Sequence, residues 1–416
     1  MIRKTLFYPL WLLFFYGANL MGQSTQGCDG IRYYYDIFTD ISKTTVQYGQ
    51  NLDVNGDNQN LMMDIYQPEG DTIAQRPVMI FAFGGYFIGG QREDMEDACL
   101  RFARKGYVAA TIDYRLLSLT GGVPDSLDFL DIVAKASHDM KAAIRYFRQD
   151  AATDNLFKID PNHIFVGGYS AGAITALHTA YLDEDDEIPG YAMEIIMENG
   201  GFEGTSGDSL NLTFSSSVQG VLNLSGALYK KEWISNNATP LASYHGTADD
   251  VVPFMDGEVS LYGFNIAHVY GSGTIHQEAE ADSIVNKLYA VEGGGHVDIY
   301  LDAEYEEDRI ASYAQAALFF HEILCPGVPV GTDDLTPEKK IVSVYPNPAS
   351  QQMMIAVSNS QPVNVEIYNF LGQRAARYTH VSGEMMLDGK DFLPGMYLVR
   401  IMTGNKVLEQ QKIIWQ

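Results

Sequence analysis

The chain has 416 residues, 46% of them hydrophobic and 19% charged, and 53 acidic against 27 basic side chains leave a net charge of −26. That composition suits a folded chain of two or three domains and not a disordered one. Nucleic acid and stable membrane insertion are not expected, because a polyanion or an anionic membrane surface would meet a repelling field; three cysteines are too few for a disulfide-dense scaffold or a four-cysteine zinc site.

Residues 1–22 read as a secretory signal peptide. Arg3 and Lys4 form its positive start, Leu6 to Tyr16 its apolar run, and Gly17, Ala18 and Gly22 the small residues before cleavage near Gly22–Gln23. Eleven apolar residues are too few to cross a core of about 30 Å as a helix, which argues against a membrane anchor. Export permits disulfides. Cys99 sits on an apparent helix, Met95–Lys105, as a buried free thiol, whereas Cys28 and Cys325 bracket the large domain and a bridge between them would close its two ends.

Residues 23–326 are expected to form one α/β domain. Residues 48 to 66 read as strand, turn, strand; Asp53, Asn55, Asp57 and Asp64 have calcium-loop spacing, but Asn58 stands where the loop glycine belongs and the flanks are strands, which favours a hairpin. Alternation follows: strands at Pro77–Phe83 and Tyr107–Ile112, a long helix over Asp128–Gln149, a strand at His163–Gly167 and a helix over Ala171–Tyr181. Three more strands are expected at Val218–Leu224, Leu241–Tyr244 and Asn286–Val291, with a closing helix over Ala311–Leu324. Such alternation predicts a mainly parallel sheet covered by helices. Residues 327–340 carry Pro, Gly and charge without periodicity and read as a linker; residues 341–416 read as short strands and turns, a small antiparallel β-sandwich without a catalytic cluster.

One constellation carries chemistry. Gly168-Tyr169-Ser170-Ala171-Gly172 fits G-x-S-x-G directly between a strand and a helix, the setting of a nucleophilic serine at a strained turn. Serine at its free pKa needs a base oriented by an acid, and in this arrangement the chain order is Ser, acid, His. His268, His276, His296, His321 and His380 follow Ser170. His296 ends the run Gly293-Gly294-Gly295-His296 just after the last strand, where a catalytic imidazole belongs, and is the expected base. The acid is Asp249 or Asp250, neighbours after the strand at Leu241, and spacing does not separate them; His245 precedes the acid and reads as structural. The oxyanion hole is assigned to the amides of Ala171, Gly85 and Tyr86, the latter two in the glycine-rich loop Phe83–Gly90. Phosphate cradling by that loop is disfavoured, since no G-K-[ST] follows and the first basic residue is Arg92.

With these residues in view, positions 45 to 325 resemble the α/β-hydrolase superfamily, in its carboxylesterase and hormone-sensitive-lipase-like branch. The resemblance rests on FGGYF at 83–87, DYRL at 113–116, GYSAG at 168–172, HGTADDVVP at 245–253 and GGGH at 293–296. It implies an α/β-hydrolase fold, a serine esterase without cofactor or metal, and Asp249 as the acid. The oxyanion loop departs from the usual His-Gly-Gly-Gly, with Phe83 for the histidine and Tyr86 for the third glycine. Residues 341–416 resemble a type IX secretion C-terminal sorting domain through VYPNPAS, VEIYNFLGQ and LPGMYLVRI. That implies a Gram-negative cell, contact with its secretion machinery, and a secreted or cell-surface location. The expected substrate is a small-molecule or polymer ester: feruloyl or acetyl esters of polysaccharide, short acyl esters and polyesters all suit the site. A peptidase of the same fold and a non-catalytic surface-binding protein are the alternatives. The segment after Asp183–Glu187 as far as Ser217, including Met193, Ile195, Ile196 and Met197, is expected to shape the acyl pocket. Residues 23–340 carry a charge of −29, so neutral esters are expected over anionic ones.

Overall fold

The computed structural model describes residues 27–119, 124–235, 238–261 and 264–330, and, towards the C-terminus, 342–346, 349, 351–357, 362–369, 374–403 and 406–415. The expected signal peptide, residues 1–22, and most of the expected linker lie outside the described residues. The chain divides into two compact units after Val330.

The first unit is built on eight strands. β1 (Ile41–Leu52) and β2 (Asn58–Pro68) form an antiparallel hairpin. Its turn is held by Asp53, whose Oδ1 accepts from the amides of Asn55 and Asp57 at 2.8 and 2.9 Å. Asp64, grouped with that turn by spacing, is instead buried and takes Thr45, Lys43 and Arg92 as partners. β3 (Arg76–Ala82), β4 (Val108–Ile112), β5 (Ile159–Tyr169), β6 (Val221–Leu224), β8 (Leu241–Gly246) and β11 (Asn286–Val291) complete the sheet in the order β1-β2-β4-β3-β5-β6-β8-β11. From β4 onward every pairing is parallel. β3 and β4 have no exposed residue, which is why both read as unbroken apolar runs and not as alternating ones.

The helices are α1 (Glu96–Ala103), α2 (Ser126–Ala152), α3 (Ala171–Tyr181), α4 (Gly190–Glu198), α5 (Ser272–Ala281), α6 (Asp298–Leu301) and α7 (Glu306–Leu324). Asp125 caps α2 by accepting from the amides of Leu127 and Asp128, so this helix starts two residues before the apolar periodicity begins. α1 and α7 pack together through Phe102 against Phe320 and the Arg101 guanidinium over Tyr313. Cys28 and Cys325 form a disulfide across 297 residues of chain, and Cys99 is free and buried.

Helices α4, α5 and α6 are absent from the sequence reading, and so are three strands. β7 (Ala227–Leu228), β9 (Asp256–Leu261) and β10 (Phe264–Gly271) form a separate antiparallel sheet in the order β7-β10-β9. β9 and β10 leave the main chain path where a close approach requires glycine. A Cβ on Gly271 would lie 1.8 Å from the Pro253 carbonyl oxygen.

The second unit has two antiparallel sheets, β12-β13-β16 and β15-β14-β17-β18. The strands are β12 (Val342–Tyr345), β13 (Gln352–Val357), β14 (Val363–Asn369), β15 (Arg374–Val381), β16 (Gly383–Asp388), β17 (Gly395–Thr403) and β18 (Lys406–Trp415). Met353, Ile355, Val365, Ile367, Val399 and Ile401 are buried in one core. β15 and β16 escape a reading based on apolar runs, since only Leu387 of their residues is buried.

Candidate active site

Ser170 sits at the turn between β5 and α3 with φ 54° and ψ −119°, a left-handed backbone that costs a non-glycine residue on the order of 1–3 kcal/mol. Its neighbours make the turn feasible. A Cβ on Gly172 would fall 2.0 Å from the Ala82 carbonyl oxygen, and one on Gly168 2.3 Å from the Gly172 carbonyl carbon. The Ser170 amide donates to Leu224 O at 2.9 Å and ties the turn to β6. Because α3 begins at Ala171, the Ala171 amide lies at the positive end of a helix with no upstream carbonyl to receive it.

Ser170 Oγ is 2.8 Å from His296 Nε2, and His296 Nδ1 is 2.6 Å from Asp249 Oδ2. All three side chains are buried. His296 is carried by the glycine-rich turn after β11, where its carbonyl accepts from Tyr169 Oη at 3.0 Å and its ring stacks on Tyr169 at 5.3 Å. Asp249 follows β8, and its Oδ1 accepts from the amides of Val251 and Val252, both at 2.9 Å. Burial pushes the Asp249 carboxyl up, but hydrogen bonds from His245 and His296 more than offset it, holding the group well below the usual carboxylate range. Asp250 is exposed, so geometry separates two aspartates that spacing left equal. His268 and His276 instead approach surface acids or an amide, and His321 is buried in α7.

The loop after β3 presents Gly85 (φ 125°), Tyr86 (φ 55°) and Phe87 (φ 61°), three successive left-handed residues. The amides of Gly85 and Tyr86 donate to no acceptor among the described residues. Gly84 must lack a side chain, because a Cβ there would meet Tyr169 Cδ1 at 2.8 Å and Ser170 Cβ at 3.1 Å. Two strained residues that are not glycine need external support, and Tyr114 of DYRL at 113–116 together with Leu117 just after it braces the loop. Tyr114 stacks on Phe83 at 4.4 Å and donates to its carbonyl at 2.7 Å, while the Leu117 amide donates to Phe87 O at 2.7 Å. Phe83 therefore replaces the histidine of the family pattern as an aromatic brace.

Ser170 opens into a cavity of about 100 Å³ whose walls are almost wholly apolar. Phe129, Leu130 and Val133 of α2, Ala192, Ile195 and Ile196 of α4, and Trp233 line it. Of the four apolar residues singled out in the sequence, Ile195 and Ile196 line this cavity, whereas Met197 is exposed and Met193 is not among the lining residues. The remaining wall, Val259, Ile266, Ala267 and Val269, comes from the β9–β10 hairpin and escaped the sequence reading. Its alternation is short and interrupted by charge, so no motif marked it. A second, more open recess of about 480 Å³, bordered by Tyr191, Glu258, His268 and Tyr270, shares Ser126, Leu130, Tyr229, Ile266 and Ala267 with this cavity but contains neither Ser170 nor His296.

Residues 63–228 match the BD-FAE family, and residues 343–416 match the secretion system C-terminal sorting domain. The quorum-quenching protein AidA of Acinetobacter baumannii (strain MDR-ZJ06) is 35% identical over 133 residues, which are 32% of this chain and 40% of that protein. The non-reducing polyketide synthase atr1 of Stereocaulon alpinum is 26% identical over 134 residues, 31% of this chain and 5% of that one. The matches thus span less than half the length of these curated relatives. Among solved structures, Thermogutta terrifontis esterase 2 phosphorylated by paraoxon is 24% identical, with a TM-score of 0.48 and coverage of 68% of this chain and 94% of that one. The propionate-bound form of the same esterase is 24% identical, with a TM-score of 0.46 and coverage of 67% and 94%.

Proposed function

We propose that this chain, an α/β-hydrolase unit followed by a secretion system C-terminal sorting domain, hydrolyses neutral carboxylic esters through Ser170, His296 and Asp249. The observation that carries the reading is the buried line from Ser170 Oγ through His296 to Asp249, with both hydrogen bonds at 2.8 Å or less. Ser170 attacks the ester carbonyl as His296 Nε2 takes its proton, and Asp249 keeps the other ring nitrogen protonated and stabilises the imidazolium. The amides of Ala171, Gly85 and Tyr86 receive the charge that develops on the carbonyl oxygen. His296 then protonates the leaving alcohol, and water, activated by the same imidazole, releases the acid.

The acyl group goes into the apolar cavity. At about 100 Å³ this is smaller than the roughly 150 Å³ void that takes up benzene, which favours acyl groups of a few carbons over a feruloyl ring. No Asp, Glu, Lys or Arg is among the residues that line the cavity at Ser170, which favours a neutral acyl ester over a charged peptide terminus. The sorting domain and the leader sequence support a working location on the outer face of a Gram-negative cell.

Labelling with a fluorophosphonate probe tests the reading. The wild-type protein is expected to label and turn over p-nitrophenyl acetate or butyrate, and Ser170→Ala to do neither, with a kcat loss on the order of 10⁴ to 10⁶. Unlabelled wild type leaves the surface-binding alternative, and a labelled Ser170→Ala places the nucleophile elsewhere.

A further inference from the structure

The buried polar chain behind Asp249 is longer than a serine, a histidine and an acid require. We propose that His245 is a positioning residue for the reaction: backed by Ser272 and Asn223, it holds the Asp249 carboxylate in place and shares its negative charge with His296. The inference rests on the reading of Ser170, His296 and Asp249 given above.

The hydrogen bonds fix the tautomer of His245. Its Nε2 faces two acceptors, Asp249 Oδ2 and Val252 O, both at 3.0 Å, and so must carry the proton. Its Nδ1 lies 2.7 Å from Ser272 Oγ. That hydroxyl accepts from Asn223 Nδ2 at 2.9 Å and is left free to donate to the ring. The Asn223 amide cannot flip, because its Oδ1 accepts from the Gly226 amide at 2.8 Å while its Nδ2 also reaches Ser243 Oγ at 3.0 Å. Protons therefore point one way along Asn223, Ser272 and His245 to Asp249. Asn223, His245 and Ser272 are each 0% exposed, so water cannot substitute for any link.

The carboxylate is consequently held on both oxygens. Oδ1 is fixed by two backbone amides, and Oδ2 is divided between two imidazoles. Only one of those imidazoles reaches Ser170. Removing the other would leave Oδ2 to His296 alone and concentrate the negative charge on the bond that remains. The imidazolium of His296 then becomes easier to form and slower to give up its proton. Besides Asp249, His245 meets only Ser272, the Val252 carbonyl and the edge of Phe254 among the described residues. His296 is faced by Asp249, Ser170 and the Tyr169 ring, with Tyr86, Asp250 and Asp298 the further titratable groups around this corner. None of these belongs to the Asn223–Ser272–His245 chain, so a change made in that chain reaches His296 through Asp249.

The test compares His245→Phe, His245→Gln and Ser272→Ala with wild type, using p-nitrophenyl acetate from about pH 5 to about pH 9. His245→Phe is expected to lower kcat by about 10- to 100-fold with KM unchanged, and to move the acidic limb of the kcat/KM profile to higher pH. His245→Gln, whose amide can donate from the Nε2 position, should restore most of the rate and the limb. Ser272→Ala should fall between, since His245 can then turn its proton away from Asp249. A folded His245→Phe with the kcat and limb of wild type, or a Gln variant no better than Phe, would overturn the proposal. If His245→Phe does not fold, Ser272→Ala decides: a moved limb supports the proposal, and an unmoved limb with wild-type kcat sinks it. Fluorophosphonate labelling of the wild type, run in parallel, separates failure of this inference from failure of the nucleophile assignment.

Discussion

At the Ser170 end the cavity is bounded by backbone, while at its far end it is bounded by side chains. Near Ser170, glycine after glycine meets a carbonyl or another backbone atom, and the left-handed residues Gly85, Tyr86, Phe87 and Ser170 hold their amides in one orientation. Around Ile196, Trp233, Val259 and Ile266 the surface is apolar side-chain packing on four separate elements, and no glycine is among the lining residues. The first region has little room to change, because a displaced amide changes the geometry offered to the transition state. The second can change volume residue by residue and leave the reaction intact.

The sharpest way to break that contrast is at Gly172. A methyl group there would be 2.0 Å from the Ala82 carbonyl oxygen, so Gly172→Ala is expected to abolish fluorophosphonate labelling or to destabilise the unit by more than about 4 kcal/mol, read by urea unfolding. A fully active, stable Gly172→Ala protein would show that backbone contact does not set this end. Next in size is the acid. Asp249→Asn should reduce kcat by about 10³- to 10⁴-fold through loss of the correct imidazole tautomer, whereas Asp250→Asn, at an exposed position, should stay within about twofold.

At the far end the expected effects are smaller and selective. Ala192→Phe should fill part of the cavity and shift preference toward acetate over butyrate by about 10-fold or more in kcat/KM, with acetate turnover little changed. Equal losses on both esters would mean that α4 positions the catalytic end as well. The last effect is on stability and pH. His178 lines the same cavity, where burial pulls its pKa from 6.5 down to about 4. Between those values the unfolded chain binds a proton that the folded one does not, so stability is full above pH 6.5 and declines as pH falls toward 4. Urea midpoints should drop across that window, by about 3 kcal/mol at most from this residue, and His178→Phe should flatten the decline.

The same contrast explains what could be read from the chain. Ser170, His296 and the glycine-rich loop were legible because backbone strain demands particular residue types at fixed spacing, and those leave short motifs. The sheet was legible for a related reason, since strands buried on both faces are written as continuous apolar runs. Asp249 and Asp250 were not separable by spacing, because adjacent residues differ only in which one the turn after β8 aims inward. The β9–β10 wall was invisible for the opposite reason. Asp256, Glu258 and His268 interrupt its apolar positions, and its pairing with β7 depends on contacts between distant parts of the chain. Chain order makes His245 read as structural, and what order could not reveal was that it shares Asp249 with His296.

The bond between Cys28 and Cys325 has one more consequence, for what a protease can do to this unit. It makes the hydrolase portion a closed loop of covalent chain, with Ser170, Asp249 and His296 all inside the loop. One cut anywhere between the two cysteines opens the loop and releases nothing, because both pieces remain joined through the sulfur atoms. Two cuts are needed before any part of the site can be carried away, so damage that would fragment an unbridged chain leaves this one in a single piece.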